Sequence, residues 1–402
     1  MKDKHRVAIL GFGVVGGGVA DLIINNRAEL CSYLGCEVEI AHILDLRDFP
    51  ESPLSHLVTH DFGDILSDES VDTVIEVMGG EHPAYEYSSA ALAAGKSVIT
   101  SNKEVVALHG DEFIRLAAQA GVSYRFEAAV GGGIPVIAPL LSSVRQNKIR
   151  EVRGILNGTT NYILTRMFND GVDLSTALKD AQARGYAEAN PAADIEGIDA
   201  ARKITILTAL ATDVLPSVDE VYTEGITGIR EADVRLARKI GHEIKLVGRC
   251  IAGEAGLPTV CVAPFLIPGD SPLATVSGVY NAVEVIAEPL GNVMFYGQGA
   301  GAGATASAVV GDLIPIISTG GVNPIAAGFN RVSESVRPNF DRLKSRFYLA
   351  FDGADEKIAS ALGEVIENGG EIAVLTEKIA EADMQQRLST LGAKPLSVIR
   401  FI

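Results

Sequence analysis

The six residues Gly11-Phe12-Gly13-Val14-Val15-Gly16 restrict this chain more than any other feature, because of where they stand. They directly follow an apolar, strand-like run, Arg6–Leu10, and open a helical pattern, Gly16–Asn25. In that setting the first glycine permits a tight turn, the second lets backbone approach a pyrophosphate, and the third lets helix pack closely on strand. The helix start, with the amides of Phe12, Val14 and Val15 around it, offers unpaired N–H groups and positive potential to phosphates. The alternation continues, with strands at Val38–Leu44, Thr73–Val77, Ser97–Thr100 and Val122–Glu127 and helices at Pro83–Ala94 and Gly110–Ala120. Strands separated by helices need crossover connections, which give a doubly wound parallel sheet of the Rossmann type.

The second strand ends at Ile43-Leu44-Asp45-Leu46-Arg47. A carboxylate at Asp45 would accept from a ribose 2′-hydroxyl and repel a 2′-phosphate, which favours NAD. It lies further from the glycines than usual because of an insertion around Asn25–Gly35. Arg47 could pair with a 2′-phosphate instead, so NAD(H) and NADP(H) both stay open.

With 402 residues, more than one core is expected. Three parts are legible: a dinucleotide-binding domain over 1–133, closed by Gly131-Gly132-Gly133; an α+β catalytic and dimerisation domain over 134–337; and a small βαβαβ tail over 338–402. In the middle part Ile198–Ala211 and Glu231–Ile240 read as helices. Lys245–Ala252, Thr259–Ala263 and Ala282–Pro289 read as antiparallel strands. The apolar segment Thr305–Ile317, which returns to the cofactor domain, and those strands are candidates for the interface of a homodimer or homotetramer. The tail reads as strand Arg346–Phe351, helix Glu356–Glu367, strand Ile372–Glu377, helix Ala380–Leu391 and strand Leu396–Ile402, with a turn at Gly369-Gly370.

A net charge of −17 argues against nucleic acid, which needs clustered Lys and Arg. The apolar runs are broken before they reach the length of a membrane span. No apolar leader follows Met1–Arg6, so a cytoplasmic protein is expected. Cys31, Cys36, Cys250 and Cys261 match no zinc spacing and read as reduced packing residues.

The most informative chemistry lies in Ala181-Gln182-Ala183-Arg184-Gly185-Tyr186-Ala187-Glu188-Ala189-Asn190-Pro191, which continues to Asp194, Asp199 and Lys203. Asp199 and Lys203 are four apart on one helix face and can pair. The apolar Ile204-Thr205-Ile206-Leu207 behind them implies burial. A buried lysine beside a carboxylate suits proton transfer to a carbonyl, although a structural ion pair has the same pattern.

The stretch from Ala181 to Lys203 resembles the signature of the homoserine dehydrogenase family. Ser101-Asn102-Lys103-Glu104, Glu127–Pro135, Asn157–Tyr162 and Gly299-Ala300-Gly301 running into Thr305–Val310 resemble the same family, in order. The resemblance implies an oxidoreductase interconverting homoserine and aspartate semialdehyde with a nicotinamide coenzyme. It implies Lys203 as general acid/base, Asp199 beside it, and Lys103 as a second catalytic lysine near the nicotinamide. Glu188 and Asp194 would hold the substrate's ammonium or hydroxyl, and Gly158, Thr159 and Tyr186 would line the amino-acid pocket. Gly79, Gly80 and Asn102 would join the coenzyme contacts, and Gly185, Gly299 and Gly301 would let backbone approach the nicotinamide. Glu127, Val130, Gly132 and Ile134 correspond to a loop for a monovalent cation, Na⁺ or K⁺.

The tail resembles an ACT regulatory domain. It departs from the βαββαβ order of that domain by having one strand between its helices, and Asp352-Gly353-Ala354-Asp355-Glu356 stands where a glycine junction is usual. A degenerate or dimerising tail is the expectation. Two rival readings are another amino-acid dehydrogenase on the same scaffold and a dinucleotide-binding sensor without turnover.

Overall fold

Val7, Ala8, Ile9 and Leu10 are wholly buried, the environment of a strand covered on both faces. They belong to β1 (Lys4–Leu10) in the computed structural model, which describes residues 3–253, 257–320, 329–331, 340–352, 356–368 and 371–402. The Gly353–Asp355 and Gly369-Gly370 features and the Arg337-Pro338 boundary lie outside the described residues.

Beside β1 run β2 (Glu37–Leu44), β3 (Val58–Thr59), β4 (Thr73–Glu76), β5 (Ser97–Thr100) and β6 (Tyr124–Arg125), in the order β3-β2-β1-β4-β5-β6. Every pairing is parallel. This is the doubly wound order whose direction reverses between β1 and β4, and ligands bind at the carboxyl ends of strands at such a reversal. The helices α1 (Val14–Asn25), α2 (Ala84–Ala93) and α3 (Lys103–Ala120) include the crossovers. Helix α3 starts before the expected Gly110 because Asn102 Oδ1 accepts from the Glu104 and Val105 amides and caps it. The insertion before β2 is itself a helix, Arg27–Leu34, ended by left-handed Gly35.

The segment after Gly301 joins this unit as two helices, Ala302–Gly311 and Leu313–Thr319. Ala306, Val309, Val310, Leu313 and Ile316 share one buried cluster with Val19, Ala20 and Ile23 of α1. The approach is close: a Cβ on Gly18 would sit 3.2 Å from the Ala302 carbonyl oxygen and 3.3 Å from Ala306 Cβ. Part of the apolar side of Thr305–Ile317 is thus used against α1 within this unit. Ala302–Thr319 is long and apolar enough to cross a membrane by length and composition alone; in the structure it buries Asp312 near its middle and packs on α1 along one side.

The chain divides into two compact units, one of residues 1–147, 206–217 and 297–332, the other of 148–205, 218–296 and 333–402. The second is built on β7 (Lys148–Ile155), β8 (His242–Ile251), β9 (Thr259–Pro268), β10 (Tyr280–Glu288) and β11 (Gly291–Gln298), ordered β11-β10-β7-β8-β9. Helices α4 (Gly158–Asp170) and α5 (Ile198–Thr212) begin in it. Strand β7 was not legible in the sequence because Arg150, Glu151 and Arg153 interrupt its apolar residues. The structure pairs two of those charges across the sheet, Arg153 with Glu284 at 2.6 Å and Arg249 with Glu151 at 2.8 Å.

The tail continues the same sheet. Its elements are β12 (Phe347–Asp352), α6 (Glu356–Leu362), β13 (Glu364–Asn368), β14 (Glu371–Leu375), α7 (Glu381–Leu391) and β15 (Ser397–Phe401). The expected helix Glu356–Glu367 ends at Leu362, because Glu364–Asn368 pairs antiparallel with β14. The order is therefore βαββαβ rather than βαβαβ, with strands β15-β12-β14-β13. Strand β15 also pairs parallel with β9, Phe265 opposite Arg400 and Leu266 opposite Phe401, so no sheet edge separates the tail from the strands before it.

Arg400 fastens that seam. It is 1% exposed, donates to both oxygens of Glu381 at 2.9 and 2.7 Å and to Glu224 at 2.7 Å, and lies 5.2 Å from the ring centroids of Tyr222 and Phe340. Removing one member of a buried ion cluster leaves its partners uncompensated, at a cost of about 3–5 kcal/mol. Arg400→Ala is expected to lower stability by about that amount, read as a drop in the urea midpoint. An unchanged midpoint would show that the seam holds without the charge.

Candidate functional site

The glycine turn is built as its sequence implies. Gly11 follows β1 with φ +94°, and Gly13 precedes the first residue of α1. A Cβ on Gly16 would stand 1.9 Å from the Gly11 carbonyl oxygen, so helix and strand can pack here only around glycine. A Cβ on Gly13 would meet nothing within 4 Å, so the space in front of it is open to a ligand. Gly11 and Gly13 border a cavity of about 450 Å³ that is also lined by Asp45, Leu46, Arg47, His60, Val77, Met78, Pro83 and Tyr87. A cradle at a helix start, opening beside the strand-order reversal, fits a dinucleotide.

Asp45 is less available to a ribose than its position suggests. It accepts from the Phe12 amide at 2.8 Å and from Arg47 at 2.9 and 3.0 Å. The Arg47 guanidinium beside it, helped by the Phe12 amide, holds its carboxyl well below the usual range. His60 leans on the same turn, Nδ1 to the Asp45 carbonyl at 2.7 Å and Nε2 to Asp48 at 3.0 Å, and these acceptors raise its pKa. Two basic groups, Arg47 and His60, thus border the cavity.

Gly79 and Gly80 follow β4, both with positive φ, and Asn102 Nδ2 donates to the Gly80 carbonyl at 2.7 Å. Lys103 is the first residue of α3. This corner depends on a residue the sequence reading missed. Glu76, wholly buried at the end of β4, accepts from Thr100 Oγ1 at 2.6 Å and the Met78 amide at 2.8 Å, while Asn102 N–H donates to Thr100 Oγ1. Burial raises its pKa. The available signal was a lone carboxylate ending an apolar strand, Thr73-Val74-Ile75-Glu76.

Glu127, Val130 and Ile134 of the loop expected to hold a monovalent cation are buried. Glu127 Oε1 accepts from the amides of Val136 and Ile137 at 2.6 and 2.7 Å, and Oε2 from Ala138 at 2.7 Å. That carboxylate caps the following turn, and both of its oxygens are taken by main-chain N–H groups. No cluster of three or more His, Cys, Asp or Glu with metal-binding geometry occurs among the described residues. Gly299 packs its carbonyl against Gly132, and Gly301, with φ +121°, precedes the helix at Ala302.

The second unit carries the remaining candidates. Lys203, its side chain 10% exposed, donates to Asp199 Oδ2 at 2.8 Å and to the Leu156 carbonyl at 2.7 Å. The sequence spacing placed the pair on one face of α5, and burial makes it something other than a solvated surface bridge. Asn157 Nδ2 donates to Asp194 Oδ1 at 2.7 Å and Asp199 Oδ2 at 2.9 Å. Thr159 Oγ1 donates to the Tyr186 carbonyl at 2.6 Å, and the Tyr186 ring packs edge-on to Tyr162 at 4.9 Å. Gly158 starts α4, Gly185 (φ +74°) ends the preceding turn, and Glu188 is exposed. The four cysteines are free, and Cys36, Cys250 and Cys261 are buried.

Family models agree with both halves. Residues 11–127 match the NAD-binding domain of homoserine dehydrogenase, and 135–314 match the homoserine dehydrogenase model. The homoserine dehydrogenase of Corynebacterium glutamicum is 38% identical over 98% of this chain and 95% of its own. The chain belongs to the homoserine dehydrogenase family. That of Mycobacterium tuberculosis strain H37Rv is 41% identical over 87% of this chain and 80% of its own. A homoserine dehydrogenase structure from Thiobacillus denitrificans superposes with TM-score 0.89 at 33% identity, over 99% of this chain and 98% of that one. A hyperthermophilic archaeal homoserine dehydrogenase in complex with NADPH superposes with TM-score 0.68 at 28% identity, over 79% of this chain and 98% of that one. As a member of this family the chain is a nicotinamide-dinucleotide-dependent oxidoreductase.

The two glycines predict different failures. Gly16→Ala is expected to destabilise the fold through its clash with Gly11. Gly13→Ala is expected to melt like the parent while weakening dinucleotide binding about tenfold, the equivalent of about 1.4 kcal/mol. Thermal melts and a fluorescence titration with NADPH check both; equal binding by Gly13→Ala and the parent would remove Gly13 from the phosphate cradle.

Proposed function

We propose that Lys203 is the general acid/base in an NAD(P)-linked interconversion of homoserine and aspartate semialdehyde. The observation that carries this reading is the buried Lys203–Asp199 pair, tied to the Leu156 carbonyl. When bound, the nicotinamide ring supplies the hydride acceptor for the alcohol, or the donor for the aldehyde. Lys203 acts on the proton: in reduction its ammonium gives one to the oxygen that gains charge, and in oxidation its neutral amine takes one from the hydroxyl. Asp199 favours the charged lysine and fixes its direction. The substrate is a zwitterion, so its ammonium calls for carboxylates, for which Asp194 and Glu188 are assigned, with Thr159, Gly158 and Tyr186 around the amino-acid end. Lys103, at the start of α3, is assigned to the nicotinamide side.

Lys203→Ala is expected to lower turnover by about 10³, within the span of general acid–base effects, while NADPH binds as before. Spectrophotometric turnover and a binding titration on one sample decide it, and near-normal turnover would end the assignment.

For the coenzyme we infer that both forms are accepted. Arg47 neutralises Asp45 locally, which weakens repulsion of a 2′-phosphate, and with His60 it supplies cationic partners for one. Arg47→Ala is expected to raise the KM for NADPH about tenfold, roughly one charge-assisted hydrogen bond's worth, and to leave that for NADH little changed. Equal losses with the two coenzymes would contradict a 2′-phosphate contact.

A further inference from the structure

Asn157 occupies the cap position of α4 and uses the two ends of its amide differently. Its Oδ1 accepts from the Thr160 amide at 2.8 Å and the Thr160 hydroxyl at 2.9 Å. Its Nδ2 donates to Asp194 at 2.7 Å and to Asp199 at 2.9 Å. The orientation is fixed by these partners: flipped, the amide would face two carboxylates with its oxygen and the Thr160 N–H with its own N–H groups. The residue is only 6% exposed. The same turn brings the Leu156 carbonyl to Lys203 Nζ.

We propose that Asn157 is a positioning residue for the acid/base lysine, acting through Asp199 and at the same time setting Asp194. This rests on the reading of Lys203 given above. A neutral amide is the group suited to the task. It has two N–H donors to share between two carboxylates that repel one another, and an oxygen left for the helix cap. An arginine or lysine in its place would bring a second cation to Asp199 and compete with Lys203 for it. The bridge therefore fixes the separation of the two carboxylates without altering the charge of the cluster. Leu156 and Asn157 together hold both partners of the lysine from a single turn of chain, so Lys203 and Asp199 are oriented by the start of α4 as well as by their own helix.

Two substitutions separate the bridge from the cap. Asn157→Asp is nearly isosteric and keeps an oxygen for the Thr160 amide, but loses both N–H donors. Asn157→Ser keeps a capping hydroxyl and is too short to bridge. Both are expected to melt cooperatively and to bind NADPH like the parent. Their kcat is expected to fall on the order of 10²-fold, the effect of misplacing a catalytic group by about an ångström. The deuterium isotope effect on kcat, read with homoserine labelled at its carbinol carbon, is expected to rise as chemistry becomes limiting.

If both variants turn over within about threefold of the parent (about 0.65 kcal/mol or less) with an unchanged isotope effect while Lys203→Ala is inactive, the proposal falls and the acid/base reading stands. If Lys203→Ala is itself active, the acid/base reading falls and takes the proposal with it. If neither variant melts cooperatively although both keep a capping oxygen, the bridge serves the fold and the positioning role is refuted.

Discussion

An ammonium group withdrawn from water must find acceptors at fixed places, and Lys203 organises much of the second unit by that need. Desolvating a lysine costs several kcal/mol unless carboxylates and carbonyls replace the lost water. Here the replacements come from two stretches distant in sequence, Asp199 on its own helix and Leu156 at the end of β7. To meet them, α5 must lie against the sheet, and that contact is tight: a Cβ on Gly248 of β8 would sit 3.1 Å from Ile204 Cβ. The bond to Leu156, in turn, ties the turn between β7 and α4 to the helix that carries the ion pair.

What could be read from the sequence follows from how local each signal is. The glycine turn, the strand before it and the helix after it declare themselves within twenty residues, and so did the alternation of strands and helices that makes the first sheet parallel. The Asp199–Lys203 spacing is equally local. Strand β7 was missed because its charged residues satisfy each other across the sheet, a pairing that only the three-dimensional partner reveals. Glu76, the bridging amide of Asn157 and the amide-bound carboxylate of Glu127 escaped for a related reason: each has partners that lie further along the chain, Thr100, Asp194 with Asp199, and the 136–138 amides, and in one dimension such a side chain looks like any surface residue.

The tail illustrates a different failure. Residues 356–367 read as one helix because Glu, Lys, Ala and Leu favour it, yet Val365 and Ile366 belong to a strand that pairs with β14. Pairing overrode propensity where the sheet offered an edge to extend. The continuous sheet then makes the final strand interior, flanked by β9 on one side and β12 on the other.

The helix at Ala302 has a bearing on how the molecule comes into being. The apolar face of α1 that surrounds Val19 and Ile23 is covered by Ala306, Val309 and Val310, which are synthesised nearly three hundred residues later. A ribosome extending the chain at about 5–20 residues per second keeps that face waiting for tens of seconds. The nascent amino-terminal sheet is thus an unfinished object, with greasy surface on offer to chaperones or to neighbours. For the same reason a fragment cut after the first Gly-rich boundary would carry the dinucleotide cradle but lack the lid of its own core.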